Sequence, residues 1–194
     1  MGIPLKKEDH KFTYHDYLKW PKNERWELIG GAAYDMTPAP SIYHQRISRE
    51  LLLLIGNYLS GKTCEVFSAP FDVRFVDYEN ADDGHVYNVV QPDIVVVCDK
   101  KKLDDRGCAG APDLVIEILS PETASKDMKE KFALYERHGV SEYWMVQPLD
   151  KTVMVFKPGE DKKFGKPDIY TIENKIKIGI FDDLTIDLNA VFKN

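Results

Sequence analysis

Apolar residues along this chain recur with two different periods. Between 41 and 61, His44, Ile47, Leu51, Ile55 and Tyr58 fall on one face of a helix, with Ser41 placed to cap its start and Gly61 to stop it. Further on the period drops to two. Phe67, Ala69, Phe71, Val73 and Phe75 alternate with Ser68, Pro70, Asp72 and Arg74, which predicts one half-buried strand with an edge or a bulge at Pro70. Ile94-Val95-Val96-Val97-Cys98 and Leu114-Val115-Ile116-Glu117-Ile118-Leu119 are near-continuous apolar runs, the pattern of strands covered on both faces. An acidic loop is expected over 77–84 and a glycine-rich one over 106–112.

Punctuation residues place the remaining elements. Thr13-Tyr14-His15-Asp16 resembles a capping box before a short helix that Pro21 follows, and Gly30-Gly31 joins 26–29 to 32–36 as a hairpin. Ser120-Pro121-Glu122 offers a cap, an N1 proline and a first-turn acid for a helix that runs to about Arg137 and stops at Gly139. On a regular wheel Met128, Phe132 and Tyr135 form its buried stripe. Lys126, Lys129, Glu130, Glu136 and Arg137 form the outer face, and Lys131 stands on the shoulder. A hairpin of 143–146 with 152–156, short strands and a terminal element near 188–192 finish the chain. The order predicts an α/β sandwich on a mixed β-sheet flanked by helices, with an N-terminal hairpin and C-terminal strand extensions. No repeat or linker divides the 194 residues, so 1–194 is expected to be a single domain.

Charge and cysteine usage narrow the function classes. The net charge of −6 excludes a domain that coats nucleic acid with a uniformly basic surface, so any such contact needs a local patch. Lys100-Lys101-Lys102 is the densest basic run, although a solvated loop explains it equally well. No apolar run approaches the roughly 20 residues that cross a bilayer. The first ten residues lack an apolar core, so no membrane partner and a cytoplasmic location are expected. Cys64, Cys98 and Cys108 are odd in number and form no CxxC pair, which points to reduced thiols.

Two acids interrupt the apolar strands: Asp93 after Pro92, and Glu117 inside the next run. A carboxylate there is costly unless paired or bound to a cation. By parity Asp113, Val115, Glu117 and Leu119 share one face, yet Asp113 lies about 13 Å from Glu117 at roughly 3.3 Å per residue. Glu117 therefore needs a partner on a neighbouring strand, and Asp93 is the candidate; a structural salt bridge is the competing explanation. His44 is either a satisfied core histidine or a site residue, and Glu27 by itself is an ordinary strand glutamate. The aromatics Tyr143, Trp144 and Phe156 read as core.

Pro92-Asp93, twenty-three residues, then Glu117 in an apolar strand resembles the PD-(D/E)XK nuclease pattern. Glu27-Leu28-Ile29-Gly30-Gly31, 38–44, Gln91-Pro92-Asp93, 110–121, 131–135 and 139–144 extend the resemblance over most of the chain to the Uma-two-type restriction endonuclease family. The resemblance implies a restriction-endonuclease-like fold and hydrolysis of DNA with Mg²⁺ or Mn²⁺. Asp93 and Glu117 would hold the ion with the Ile118 carbonyl and waters. It also makes Glu27 a third acid and gives His44 a supporting role. One position departs from the pattern: Leu119 stands where the superfamily carries its catalytic lysine. Elsewhere in the superfamily a Q-x-x-x-Y helix reaches the same site, which here reads Lys131 to Tyr135, so Lys131 is expected to be the migrated lysine. Its ammonium should lie about 4–6 Å from Glu117, the Asp93 and Glu117 carboxyls within about 6 Å, and Lys131→Met should cost little stability. The rivals are an inactive nuclease-fold nucleic-acid-binding or scaffold protein, favoured by Leu119, and a glycoside hydrolase using the same acids. A homodimer would give an acidic nuclease more DNA contact.

Overall fold

A computed structural model describes residues 10–36, 40–78, 81–120 and 127–193. In chain order the elements are α1 (Tyr14–Tyr17), β1 (Trp26–Ile29), β2 (Ala32–Asp35), α2 (Ile42–Leu59), β3 (Glu65–Ser68), β4 (Val73–Phe75), β5 (Asn88–Val90) and β6 (Ile94–Val97). Then come β7 (Leu103–Asp104), β8 (Gly107–Ala109), β9 (Leu114–Ile118), a π-turn (Asp127–Lys131) running into α3 (Phe132–His138), and β10 (Glu142–Gln147). The chain closes with β11 (Thr152–Phe156), β12 (Asp168–Thr171), β13 (Lys175–Lys177), β14 (Thr185–Asp187) and α4 (Leu188–Val191).

Two six-stranded mixed sheets result. The central one has the order β12-β11-β10-β9-β6-β3, antiparallel except for β9 beside β10; the second is β2-β1-β5-β4-β8-β7, antiparallel except for β4 beside β8. Strand parity assigns the two faces of the central sheet. Leu114, Ile116 and Ile118 pack with Ile47, Leu51 and Ile55 of α2 on one side. Val115 and Leu119 pack on the other with Val73, Phe75 and Val90 of the second sheet and Leu134 and Tyr135 of α3. The continuous apolar runs are thus buried on both faces, as their composition requires.

Several expectations change. The alternation over 67–75 is not one strand: β3 pairs with β6 in the central sheet, and β4 pairs with β5 and β8 in the other. Pro70 has no N–H to continue a ladder, and the chain changes sheet there. The loop over 106–112 contains β8, whose Cys108 N–H donates to the Asp72 carbonyl at 2.9 Å. A Cβ on Gly107, at φ +119°, would come within 2.2 Å of that same oxygen, so only glycine permits the approach. Cys64 and Cys98 form a disulfide, against the expectation of reduced thiols. One step beyond the pair Glu65↔Val97 sets them opposite each other, an adjacency that the strand pairing creates and their spacing of 34 residues does not reveal. The proposed cap at Pro121 and Glu122 lies outside the described residues. Among the described residues no helix is long and apolar enough to cross a membrane.

Candidate active site

Asp93 and Glu117 come together through strand pairing. Ile94 faces Ile116 in the antiparallel β6–β9 ladder, and one further step in that register sets Asp93 opposite Glu117. The Ile118 N–H donates to Asp93 Oδ2 at 2.7 Å, fixing the aspartate on the end of β9. Both side chains point to the face that carries Val95 and Val115, where α3 and the second sheet close over them.

Helix α3 supplies the lysine by an irregular route. A π-turn advances by less than the ordinary 100° or so per residue, so it re-aims the side chains around it. Asp127 and Lys131 turn inward and are buried, while Met128 turns outward and is 51% exposed. This reverses the regular-wheel expectation for Met128 and moves Lys131 from a shoulder into the interior. The Lys131 ammonium lies 2.8 Å from Glu117 Oε1, 2.8 Å from Glu27 Oε1 and 3.5 Å from Asp127 Oδ1. The Tyr135 hydroxyl donates to the same Glu117 oxygen at 2.6 Å. Lys131 and Tyr135, four residues apart, therefore meet Glu117 from one helix face.

Glu27 comes from the second sheet and is fully buried. It accepts the Gln91 N–H at 2.9 Å. The Gln91 side chain is held in turn by Arg25 at 2.9 and 3.0 Å and by Asp72 at 2.9 Å, while it donates to the Tyr17 hydroxyl at 3.1 Å. His44 reaches the cluster from α2, where the Ser41 hydroxyl accepts its backbone N–H at 3.2 Å. Its Nε2 lies 3.1 Å from Asp93 Oδ2, and its buried Nδ1 has no hydrogen-bond partner among the described residues. The Asp93 side chain is 21% exposed and that of His44 12%, against 0–5% for Glu27, Glu117 and Lys131, so the site opens on the Asp93–His44 side.

The electrostatics follow from crowding acids in a dry place. Burial pushes the Glu117 carboxyl up to about 8; Asp127, Asp93 and Glu27 push the same way, and Lys131 opposes them. Burial alone would depress the Lys131 ammonium, but Glu117, Glu27 and Asp127 overcome it and raise it. Tyr135 is raised by burial and by the Glu117 charge, so it stays a hydroxyl donor. Three acidic side chains thus surround the Lys131 ammonium, and Asp93 adds a fourth acid beside Glu117. The cluster is short of positive charge.

A model of a family described as "Putative restriction endonuclease" (Uma2) matches residues 14–187. The chain belongs to the Uma2 family. It is 28% identical over 154 residues to the uncharacterized protein slr1290 of Synechocystis, a match covering 78% of this chain and 76% of that one. Its fold resembles, at a TM-score of 0.72, that of a crystal structure titled as a "putative nuclease" of DUF820 from Anabaena variabilis. The two are 21% identical, and the match covers 93% of this chain and 97% of the other.

In this Uma2-family chain, all five side chains singled out from sequence, Glu27, His44, Asp93, Glu117 and Lys131, meet in one cluster. Lys131 is closer to Glu117 than the expected 4–6 Å, at 2.8 Å. Three further members had no role assigned from sequence. Asp127 is signalled only by its spacing of four from Lys131, Gln91 by its place before Pro92-Asp93, and Tyr135 by its place in the helix. The Lys100–Lys102 turn lies past the opposite end of β6 from Asp93, where Lys100 pairs with Glu65 at 3.4 Å and Lys102 donates to the Ala111 carbonyl at 2.8 Å. It does not join the site. Asp113 accepts the Cys98 N–H at 2.7 Å and has a structural part.

The donors suit a hard divalent cation. The hydrogen bonds of Asp93 fall on Oδ2 and those of Glu117 on Oε1, which leaves Oδ1 and Oε2 for an ion. Mg²⁺ prefers such oxygen ligands and completes its shell with water and backbone carbonyls. Among the described residues no group of three or more acidic, histidine or cysteine side chains converges as a metal cage.

Proposed function

We propose that the protein is a divalent-metal-dependent DNA endonuclease. The carrying observation is the buried contact of Lys131 with Glu117, opposite Asp93 on the neighbouring strand. It supplies from α3 the cation that Leu119 withholds from β9. Bound to Asp93 and Glu117, Mg²⁺ or Mn²⁺ would polarise the scissile phosphate and lower the pKa of the attacking water. Lys131 orients that water and offsets the charge that develops on the phosphate. Tyr135 holds the Glu117 carboxylate in place, and His44 holds Asp93 at the open edge. Glu27, itself fixed by Gln91, keeps the ammonium charged. The span 1–194 is read as one nuclease-like domain, because the second sheet and α3 share one core with the central sheet. A cytoplasmic location belongs to this reading. The homodimer is part of the reading too, and its solution mass tests it.

Plasmid DNA with Mg²⁺ or Mn²⁺ should be nicked by the wild type and left intact by Asp93→Ala and Glu117→Gln. A wild type that binds DNA without cutting under either ion would instead establish the scaffold reading, which Leu119 favours. The glycoside-hydrolase reading would need Glu117 as a working acid opposite Asp93, and that carboxylate is already engaged by Lys131 at 2.8 Å and the Tyr135 hydroxyl at 2.6 Å.

A further inference from the structure

One surface beside the open edge of the site is not used by the cluster. Tyr43, the neighbour of His44, is 51% exposed, and its ring stacks on no other aromatic side chain among the described residues. With Arg46, Pro148, Lys151, Phe192 and Lys193 it lines a shallow depression. Some surface cations elsewhere are paired, among them Lys62 with Asp183, Lys100 with Glu65, Arg106 with Asp83 and Lys175 with Asp187. Arg46, Lys151 and Lys193 have no carboxylate partner among the described residues, and Asp150, adjacent in the chain, makes no ion pair with them.

Topology puts this depression at the reactive end of the sheet. Met145 faces Glu117 and Val146 faces Ile118 in the parallel β9–β10 pair, so the turn carrying Pro148 and Lys151 lies just past the end that bears the acids. Tyr43 and Arg46 are in the first turns of α2, whose His44 touches Asp93. We propose that this surface holds the DNA strand as it runs from the site, with Tyr43 stacking on a base and Arg46, Lys151 and Lys193 contacting successive phosphates. The proposal rests on the nuclease reading above. Charge complementarity carries it: on a chain of net charge −6, three unpaired cations around one exposed aromatic make a local match to a polyanion with flat bases.

Binding of a labelled single-stranded oligonucleotide, followed by fluorescence anisotropy in EDTA from 50 to 200 mM salt, tests it. The triple variant Arg46→Gln, Lys151→Gln, Lys193→Gln should lower the slope of log affinity against log salt by about 2, at roughly 0.7 per lost phosphate contact. Tyr43→Ala should raise Kd about tenfold and leave that slope unchanged. Unaltered melting temperatures confirm that both variants fold. A wild type that binds no oligonucleotide, or variants that keep its Kd and slope, would overturn the proposal. Cleavage by the same wild type with Mg²⁺ or Mn²⁺ is scored separately. If it binds through this surface yet never cuts, the surface stands and the nuclease reading falls.

Discussion

Two glutamates are buried on adjacent strands of the central sheet, and only one belongs to the site. Glu142 on β10 is 1% exposed and Glu117 on β9 is 4% exposed. Glu142 faces the α2 side, where it accepts the Trp144 indole N–H at 2.6 Å and the Gly179 N–H at 2.6 Å, with Lys157 at 3.8 Å. A Cβ at position 179 would fall 2.6 Å from Glu142 Oε2, so a larger residue there would push the carboxylate aside. Burial raises the Glu142 carboxyl, and its donors pull it back. Glu117 has the opposite company: three further acids surround it, and its partners crowd onto one oxygen. A buried acid is therefore no sign of a site by itself. An acid satisfied by neutral donors fastens the fold, whereas acids gathered beyond what their cation balances are poised for a ligand.

The sharpest break between them is activity. Glu117→Gln should reduce nicking by at least about 100-fold, while Glu142→Gln stays within about threefold of wild type in the same plasmid assay. Equal losses would erase the distinction. Lys131 then tests the interior of the cluster. Lys131→Met should abolish cleavage and also cost about 3–5 kcal/mol by denaturant titration, because Glu27, Glu117 and Asp127 lose their shared cation. That corrects the sequence-based expectation of a small cost, which assumed a lysine on the helix shoulder. A melting curve against pH separates the acids further. The Glu117 pKa is raised from its ordinary 4.5 to about 8, so across that window the folded chain holds a proton that the unfolded chain has lost. Metal-free stability should therefore fall as pH rises through it, by on the order of a few kcal/mol. Glu117→Gln should remove most of that slope, and a slope unchanged in the variant would place the titration elsewhere. The smallest effect is on Glu142 itself: Glu142→Gln should cost about 1–3 kcal/mol, since an amide cannot accept from both the indole and the Gly179 N–H.

Much of this cluster is legible one residue at a time. Glu117 declares itself by interrupting an apolar run, and the parity of β6 and β9 places Asp93 beside it. Lys131 is legible less directly, through its spacing from Tyr135 and the missing lysine at 119. The burial of Asp127 is not legible, because a π-turn leaves no periodic trace and a regular wheel sets Met128 inward instead. Glu142 is silent for a similar reason: its partner Gly179 lies on a segment that no local pattern joins to β10.

By itself, the sequence determined the strands buried on both faces, the long helix and its cap, the Gly30-Gly31 hairpin, and the residue types able to do hydrolytic chemistry. Those features depend on periods of two and 3.6 residues and on turn residues, all local. The tertiary structure alone decided that the chain changes sheet at Pro70, that Cys64 meets Cys98, and that Glu27 from the second sheet shares the Lys131 ammonium with Glu117. Each depends on which distant strands pair and how the layers close over one another. That choice is settled by packing the whole core, and no window of the chain contains it.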